Sequence, residues 1–301
     1  MTAPRRIVAN TTYLLTRRCI GRAFLLRPSK LVNAVFQFAL ALTAQRYGIL
    51  LHCYCVLSNH YHCVLTDPFG KLPEFERDLG SILARALNAA HGRWESFWAP
   101  GSYSAVALQS ADDVLQKMAY VLANPVAAGL VRRGTEWPGL WSSPERIGAG
   151  PVQVSRPDHF FRKDGPCSEP VDLDLVSPPG FASIESLRGQ LAAAVTRLED
   201  RAARRLAAQG RSFMGPRKVL AQSVHARPAP GEPRRELNPR IASRDKWKRL
   251  EAIHRLQSFL AAYRTAWESF SAGVRAAVFP VGTYWMRVAY GVSCAEVSSP
   301  A

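Results

Sequence analysis

The sequence predicts an α+β fold, a split βαβ antiparallel sheet with helices on one face, followed by a mainly helical basic extension. Three observations predict it. Over the first half of the chain, short β-rich runs and helical periodicities follow one another in the order β-α-β-β-α-β-α. A stretch rich in Pro, Gly and Ser, residues 144 to 179, then breaks that order. Beyond it, long runs of helical composition carry far more basic than acidic residues.

The elements follow in turn. "TTYLLTRRC", residues 11 to 19, reads as a first strand, β-branched and aromatic at its start and basic at its end. Pro28 and Ser29 open a helix that Gly48 stops after Tyr47. "ILLHCYCVLS" and "HYHCVLT" read as the second and third strands, with Ser58 and Asn59 as the turn between them. A second helix starts near Pro73 and ends before Gly92, with Phe75, Leu79, Ile82, Leu83 and Leu87 at helical spacing. "SYSAVALQS" is the fourth strand. "ADDVLQKMAYVLA" is a third helix, with Asp112 and Asp113 at its positive end. This order is that of a ferredoxin-like split βαβ unit with one added helix.

The expected organisation is a first domain over residues 1–145, a linker or irregular segment over 146–180, and a basic helical extension over 181–301. In the extension, "IESLRGQLAAAVTRLEDRAARRLAAQG" reads as a long helix closed by Gly210. "RPAPGEPRRELNPR" is too rich in proline for regular structure, and a last helix is expected from Arg244 to about Ser269. The aromatic stretch "FPVGTYWMRVAYGV" reads as a docking segment or short hairpin, with its aromatics in a core. Basic residues between Arg201 and Arg255 form either a solvated face or a DNA contact, with Trp247, His254 and Tyr263 interleaved as stacking surfaces.

The chain has 301 residues, 48% of them hydrophobic, enough to build a core. Its formal net charge is +16, which fits a polyanionic partner such as nucleic acid. No apolar run is long enough to span a bilayer, and Arg17 and Arg18 interrupt the N-terminal apolar stretch that a signal peptide would need. Six cysteines with no C-x-x-C pair do not make a disulfide scaffold. They read as reduced, buried thiols of a cytosolic protein.

The chemistry sits in "CYCVLSNHYHCVLTDP", residues 53 to 68. Alternate residues of a strand share a face, so His60 and His62 point one way and Tyr61 and Cys63 the other. Two imidazoles held this close can chelate one divalent cation, although a pair of satisfied core histidines is the plainer reading of H-x-H alone. His52 reads as a strand residue with a backbone partner, and Asp67 as part of a turn. A thiolate-rich zinc site adding Cys53 and Cys55 would need both thiols on the face of the imidazoles.

The segment "VLSNHYHCVL" resembles the His-hydrophobic-His motif of the HUH single-strand endonucleases, and among them the REP-associated tyrosine transposases. Ser58-Asn59 stands where that family usually has Pro-Asn, and Tyr61 replaces the usual aliphatic residue. A second match is "YVLANPVAAGLV", residues 120 to 131, which is similar to the family's tyrosine-helix motif. "FWAPGSYSAVAL" and "WPGLWSS" fall where the family has its fourth strand and the segment after the tyrosine helix, so the resemblance covers residues 10 to 145.

The resemblance implies a metal-dependent enzyme that cleaves and rejoins single-stranded or hairpin DNA. Tyr120 would be the nucleophile, with a 5′-phosphotyrosine left on the protein. His60 and His62 would hold Mg²⁺ or Mn²⁺, the hard cations that suit a phosphate-polarising site. A free phenol has a pKa near 10, so only about one tyrosine in a thousand is ionised at neutral pH; offsetting the phosphate's charge is what the site must achieve. Asn124 would either complete the metal shell through its carbonyl oxygen or cap a fresh turn starting at Pro125. Arg17 and Arg18, at the end of the first strand, would contact phosphate or stay solvated. A homodimer, with the tyrosine acting in cis or in trans, is compatible with the resemblance. The expected compartment is the cytoplasm, at the nucleoid. The rival class is a transposase-derived protein that binds hairpin DNA without cutting it.

Overall fold

A computed structural model describes residues 4–101, 103–162, 165, 170–228 and 239–296. The first strand, β1, spans Thr11–Arg18, and helix α1 spans Lys30–Tyr47. Ser29 caps α1 by accepting a hydrogen bond from the Val32 amide at 3.1 Å, and Gly48 ends it with φ of 64°. Strands β2 (Leu50–Leu57) and β3 (His60–Asp67) form a hairpin about Ser58 and Asn59. Helix α2 (Leu72–Ala90) starts under the buried Asp67 carboxylate, which accepts hydrogen bonds from the amides of Phe69, Lys71 and Leu72. Asp67 is thus a turn residue, as its sequence context indicates. Strand β4 (Ser104–Leu108) and helix α3 (Ala111–Ala127) complete the expected order. Ser110 caps α3, and Asp112 and Asp113 occupy its first turn.

The main sheet runs β2-β3-β1-β4, antiparallel throughout. A two-residue strand, β7 (Ile241–Ala242), extends it in parallel beside β4. This is the predicted α+β architecture of a split βαβ sheet with a helical C-terminal part, except that helices cover both faces of the sheet and not one, because Leu14, Cys53, Cys55 and Val64 make the second face apolar as well. Helices α1 and α2 cover one face and build a core with Tyr13, Leu15, Tyr61, Cys63 and Leu65. The added helix α3 covers the other face over Leu14, Cys53, Cys55 and Val64.

Packing crosses the expected boundaries at 145 and 180. Residues 152–154 and 171–173 form a hairpin, β5 and β6, whose Val154, Val171 and Leu173 join the core beneath α1. Helix α4 (Ile184–Ala208) buries Leu187, Leu191 and Val195 in the same layer as α3. The extension is therefore built into the second layer rather than tethered beyond a linker, because α3 alone leaves apolar residues that a further helix must cover.

A short helix α5 (Pro216–Ala221) and a long helix α6 (Lys246–Ser271) follow. The aromatic stretch near the end is a short helix, α7 (Trp285–Tyr290), preceded by the fully buried Phe279. Most of the proline-rich run at 227–240 lies outside the described residues. So does Cys167; the five described cysteines are free thiols. Among the described residues no helix is long and apolar enough to cross a membrane.

Candidate active site

The phase of β3 sets the site. Tyr61 is buried between the sheet and α1, with its hydroxyl donating to Glu76 Oε2 at 2.6 Å. That anchor turns His60 and His62 to the α3 face, where their rings meet edge to face with centroids 4.8 Å apart. The neighbouring groups fix both imidazoles. His60 Nδ1 lies 2.7 Å from Asn59 Oδ1, and His62 Nδ1 lies 2.7 Å from the Thr16 hydroxyl. With each Nδ1–H donating, the lone pair of each ring sits on Nε2, the arrangement by which outer groups orient metal-binding histidines. His62 Nε2 is buried and has no hydrogen-bond partner among the described residues.

Electrostatics keep the pair neutral. Burial first, then the charges of Arg18 and Arg22, pushes His60 down to about 4. Burial, His60 and Arg18 push His62 well below its ordinary value. Neutral imidazoles are the form that binds a cation.

Tyr120 comes to the same place from α3. Its ring meets that of His62 edge to face, centroids 5.4 Å apart, and it is 44% exposed. The structure thus brings together the imidazole pair and the distant phenol, with the phenol open to solvent. Lys117, one turn earlier on α3, places its ammonium 5.9 Å from the Tyr120 ring. Asn124 lies one turn later and is 9% exposed, with no side-chain hydrogen bond among the described residues. Its expected role as a cap is overturned: α3 continues through Pro125 to Ala127, and the Asn124 carbonyl accepts from the Ala128 amide at 2.9 Å. The end of this helix is held from outside, by the Trp141 indole donating to the Leu122 carbonyl at 2.8 Å. The carbonyl that Pro125 leaves without its helical donor is that of Val121, one residue before the one that Trp141 reaches.

The two arginines of β1 separate by strand parity. Arg18 pairs in register with His60, is exposed, and lies near enough to depress both imidazoles. Arg17 pairs with Tyr61 and faces the opposite layer. There its guanidinium donates to buried Glu76 at 2.9 Å and lies 4.8 Å from the Trp98 ring centroid, over the space that Gly80 leaves open. Arg17 therefore serves a buried ion pair and not the phosphate contact expected of it, because neighbours in a strand point apart.

Among the described residues no three His, Cys, Asp or Glu side chains gather as a metal cluster. Cys53 and Cys55 do share the sheet face of the imidazoles, yet burial pushes both thiols up and keeps them protonated. His52 is spent elsewhere, on the Val176 carbonyl and the Thr66 hydroxyl, each at 2.8 Å. Arg22, Thr16 and Lys117 were not singled out by the sequence. Of these, Lys117 alone carried a signal, its spacing from Tyr120 on one helix.

Solved structures similar to this chain can be set beside this geometry. Two of them are described as transposases. One is a REP-associated tyrosine transposase bound to a REP hairpin, 19% identical, with a TM-score of 0.42. That match covers 54% of this chain and 98% of the other. The second is a candidate transposase from Deinococcus radiodurans R1, 23% identical, with a TM-score of 0.28, covering 35% of this chain and 85% of the other. No family model matches the sequence, and no curated protein does. At these identities and scores the likenesses carry no weight for the chemistry, which rests on the residues of this chain.

Proposed function

We propose that this protein is a tyrosine transposase or single-strand DNA endonuclease of the REP-associated type, in which Tyr120 attacks a phosphodiester. The carrying observation is the exposed Tyr120 phenol set against His62, beside an oriented, neutral imidazole pair. His60 and His62 would bind Mg²⁺ or Mn²⁺ through Nε2, with the Asn124 side-chain oxygen as a further ligand. The buried, unpartnered Nε2 of His62 fits that role. Such a cation supplies charge neutralisation at a non-bridging phosphate oxygen.

The protein's own groups do the rest. Arg18, Arg22 and Lys117 give the rim a positive field that draws a phosphate in. The Asn59 side-chain oxygen holds His60 with its proton on Nδ1, and the Thr16 hydroxyl fixes the orientation of the His62 ring. The Tyr120 oxygen forms a bond to phosphorus as the bond from phosphorus to the 3′ oxygen breaks. The phenol gives up its proton to solvent, and the departing oxygen takes one up to become a 3′-OH. The resulting 5′-phosphotyrosine conserves a phosphate ester, so a second 3′-OH can reverse the step and join a new strand. The substrate is single-stranded or hairpin DNA.

The test is a labelled hairpin oligonucleotide mixed with the full chain and Mn²⁺. A denaturation-resistant protein–DNA band, absent with Tyr120→Phe, is expected. Tight binding with no such band under Mg²⁺ or Mn²⁺ would replace this reading with that of a transposase-derived DNA-binding protein.

A further inference from the structure

The far end of the sheet holds a cavity that the proposed chemistry does not use. Along β1, Arg18 stands opposite His60 whereas Thr11 stands opposite Asp67. At about 3.3 Å per residue, Thr12 lies roughly 13 Å along the strand from Thr16, the residue that orients His62. Around Thr11, Thr12 and Tyr13 opens a cavity of about 310 Å³, the low end of the range for small-molecule sites.

Four arginines from three segments converge on it, and among the described residues no Asp or Glu lines it. Arg5 and Arg6 belong to the N-terminal arm, Arg240 precedes β7, and Arg255 stands on α6. The arm is itself held by the C-terminal extension, through the Ile7 amide donating to the Gly282 carbonyl at 2.9 Å. The cavity therefore exists only where both ends of the described chain meet the sheet edge.

Its electrostatics are unbalanced. Arg5 lies over the Tyr103 ring, 3.8 Å from its centroid, and Arg255 reaches Glu251 at 3.1 Å and Gln109 at 3.3 Å on its outer side. Burial and then Arg255 push the Arg6 guanidinium down; burial and then Arg5 do the same to Arg240. Guanidiniums crowded around a space that no carboxylate of the described residues lines repel one another, and an anion placed there relieves the repulsion. Their forked donors match phosphate oxygens. Asn10, held at φ of 55°, adds a side-chain amide to the rim, a group able to pair with base edges.

We propose that this cavity is a second nucleic-acid site, which takes a phosphate and its base from a single-stranded DNA segment lying away from Tyr120. It rests on the reading of this chain as a protein that handles DNA strands, but not on the cleavage step. The strand source is favoured over free phosphate because amide and guanidinium donors share one rim, and because α6 adds exposed basic residues beside it.

The experiment measures anisotropy of a fluorescent single-stranded oligonucleotide with the full chain, over a salt series and without divalent metal. The double variant R240Q/R255Q is expected to bind roughly tenfold more weakly, with a salt slope reduced by about two. Melting of R240Q/R255Q in phosphate-free buffer should be no lower than wild type, since repelling charges have been removed. If the double variant misfolds, Arg255→Gln alone, at an exposed side chain, should weaken binding by about threefold. Unchanged affinity and slope overturn the proposal. So does stabilisation of wild type by inorganic phosphate or thymidine monophosphate with no difference between proteins toward the oligonucleotide. A wild type that forms no covalent adduct yet shows the arginine-dependent binding would sink the cleavage reading and leave this one standing.

Discussion

The ring of His62 meets the ring of Tyr120 edge to face at 5.4 Å, although 58 positions of chain separate them and they sit on different elements. The pair joins a buried imidazole to a solvent-open phenol, so it is where substitution is most informative. Tyr120→Phe keeps the ring and removes the oxygen. Stability should change by no more than about 0.5 kcal/mol, as for a surface substitution, while covalent capture of DNA disappears. Chemical denaturation alongside the adduct assay checks both.

Thr16 touches no substrate, yet its hydroxyl fixes His62 through Nδ1. Thr16→Val should lower Mn²⁺ affinity by roughly tenfold or more, the usual effect of losing a group that orients a ligand. Calorimetric titration of Mn²⁺ gives the answer. Equal affinities would mean that the Thr16 hydroxyl does not orient His62 as a ligand.

The two arginines of β1 should behave in opposite ways. Arg17→Met strands the buried Glu76 carboxylate without its partner, at a cost of about 3 kcal/mol or more. Arg18→Ala should leave stability nearly unchanged and weaken DNA binding, with a salt slope smaller by about one. Urea unfolding and a salt series of DNA affinity distinguish them. A stable Arg17→Met protein with weakened DNA binding would restore the role that the sequence suggested for Arg17.

Acid should destabilise the metal-free protein from the histidine range downward. His52 and His60 are each pushed down to about 4 by burial, and His62 is pushed well below its ordinary value. In the unfolded chain each titrates near 6.5, so between about 4 and 6.5 the unfolded state binds more protons and stability rises with pH. The contribution is fully present above 6.5 and falls away as pH drops toward 4, by about 1.4 kcal/mol per pH unit for each histidine. His52→Gln should remove about one proton's worth of that slope. Urea unfolding at pH 7.5, 5.5 and 4.5 measures it, and a flat profile contradicts the burial of these rings.

Much of this was legible in the residues. Ser29, Gly48 and Ser110 mark helix ends that the structure keeps, and the spacing of His60 and His62 placed both imidazoles on one face. Parity along β1 was not legible, because it depends on which residue of β1 stands opposite Tyr61, a register that only tertiary pairing sets. Pro125 misled for a similar reason. Local geometry disfavours a helix there, but α3 runs on to Ala127 because Val121, Leu122 and Val126 around the proline pack into the second layer. The pairing of β7 with β4 joins residues more than a hundred positions apart and left no local trace.

One strand, β3, serves two layers at once: its odd positions plug the interior beneath α1 while its even positions carry the imidazoles. Ser58 and Asn59 set the phase between those duties. Gaining or losing a single residue at that bend would swap the duties, pressing imidazoles into oil and pushing Tyr61 out toward water. An insertion or deletion between Leu57 and His60 would thus cost the protein its interior and its chemistry in one stroke.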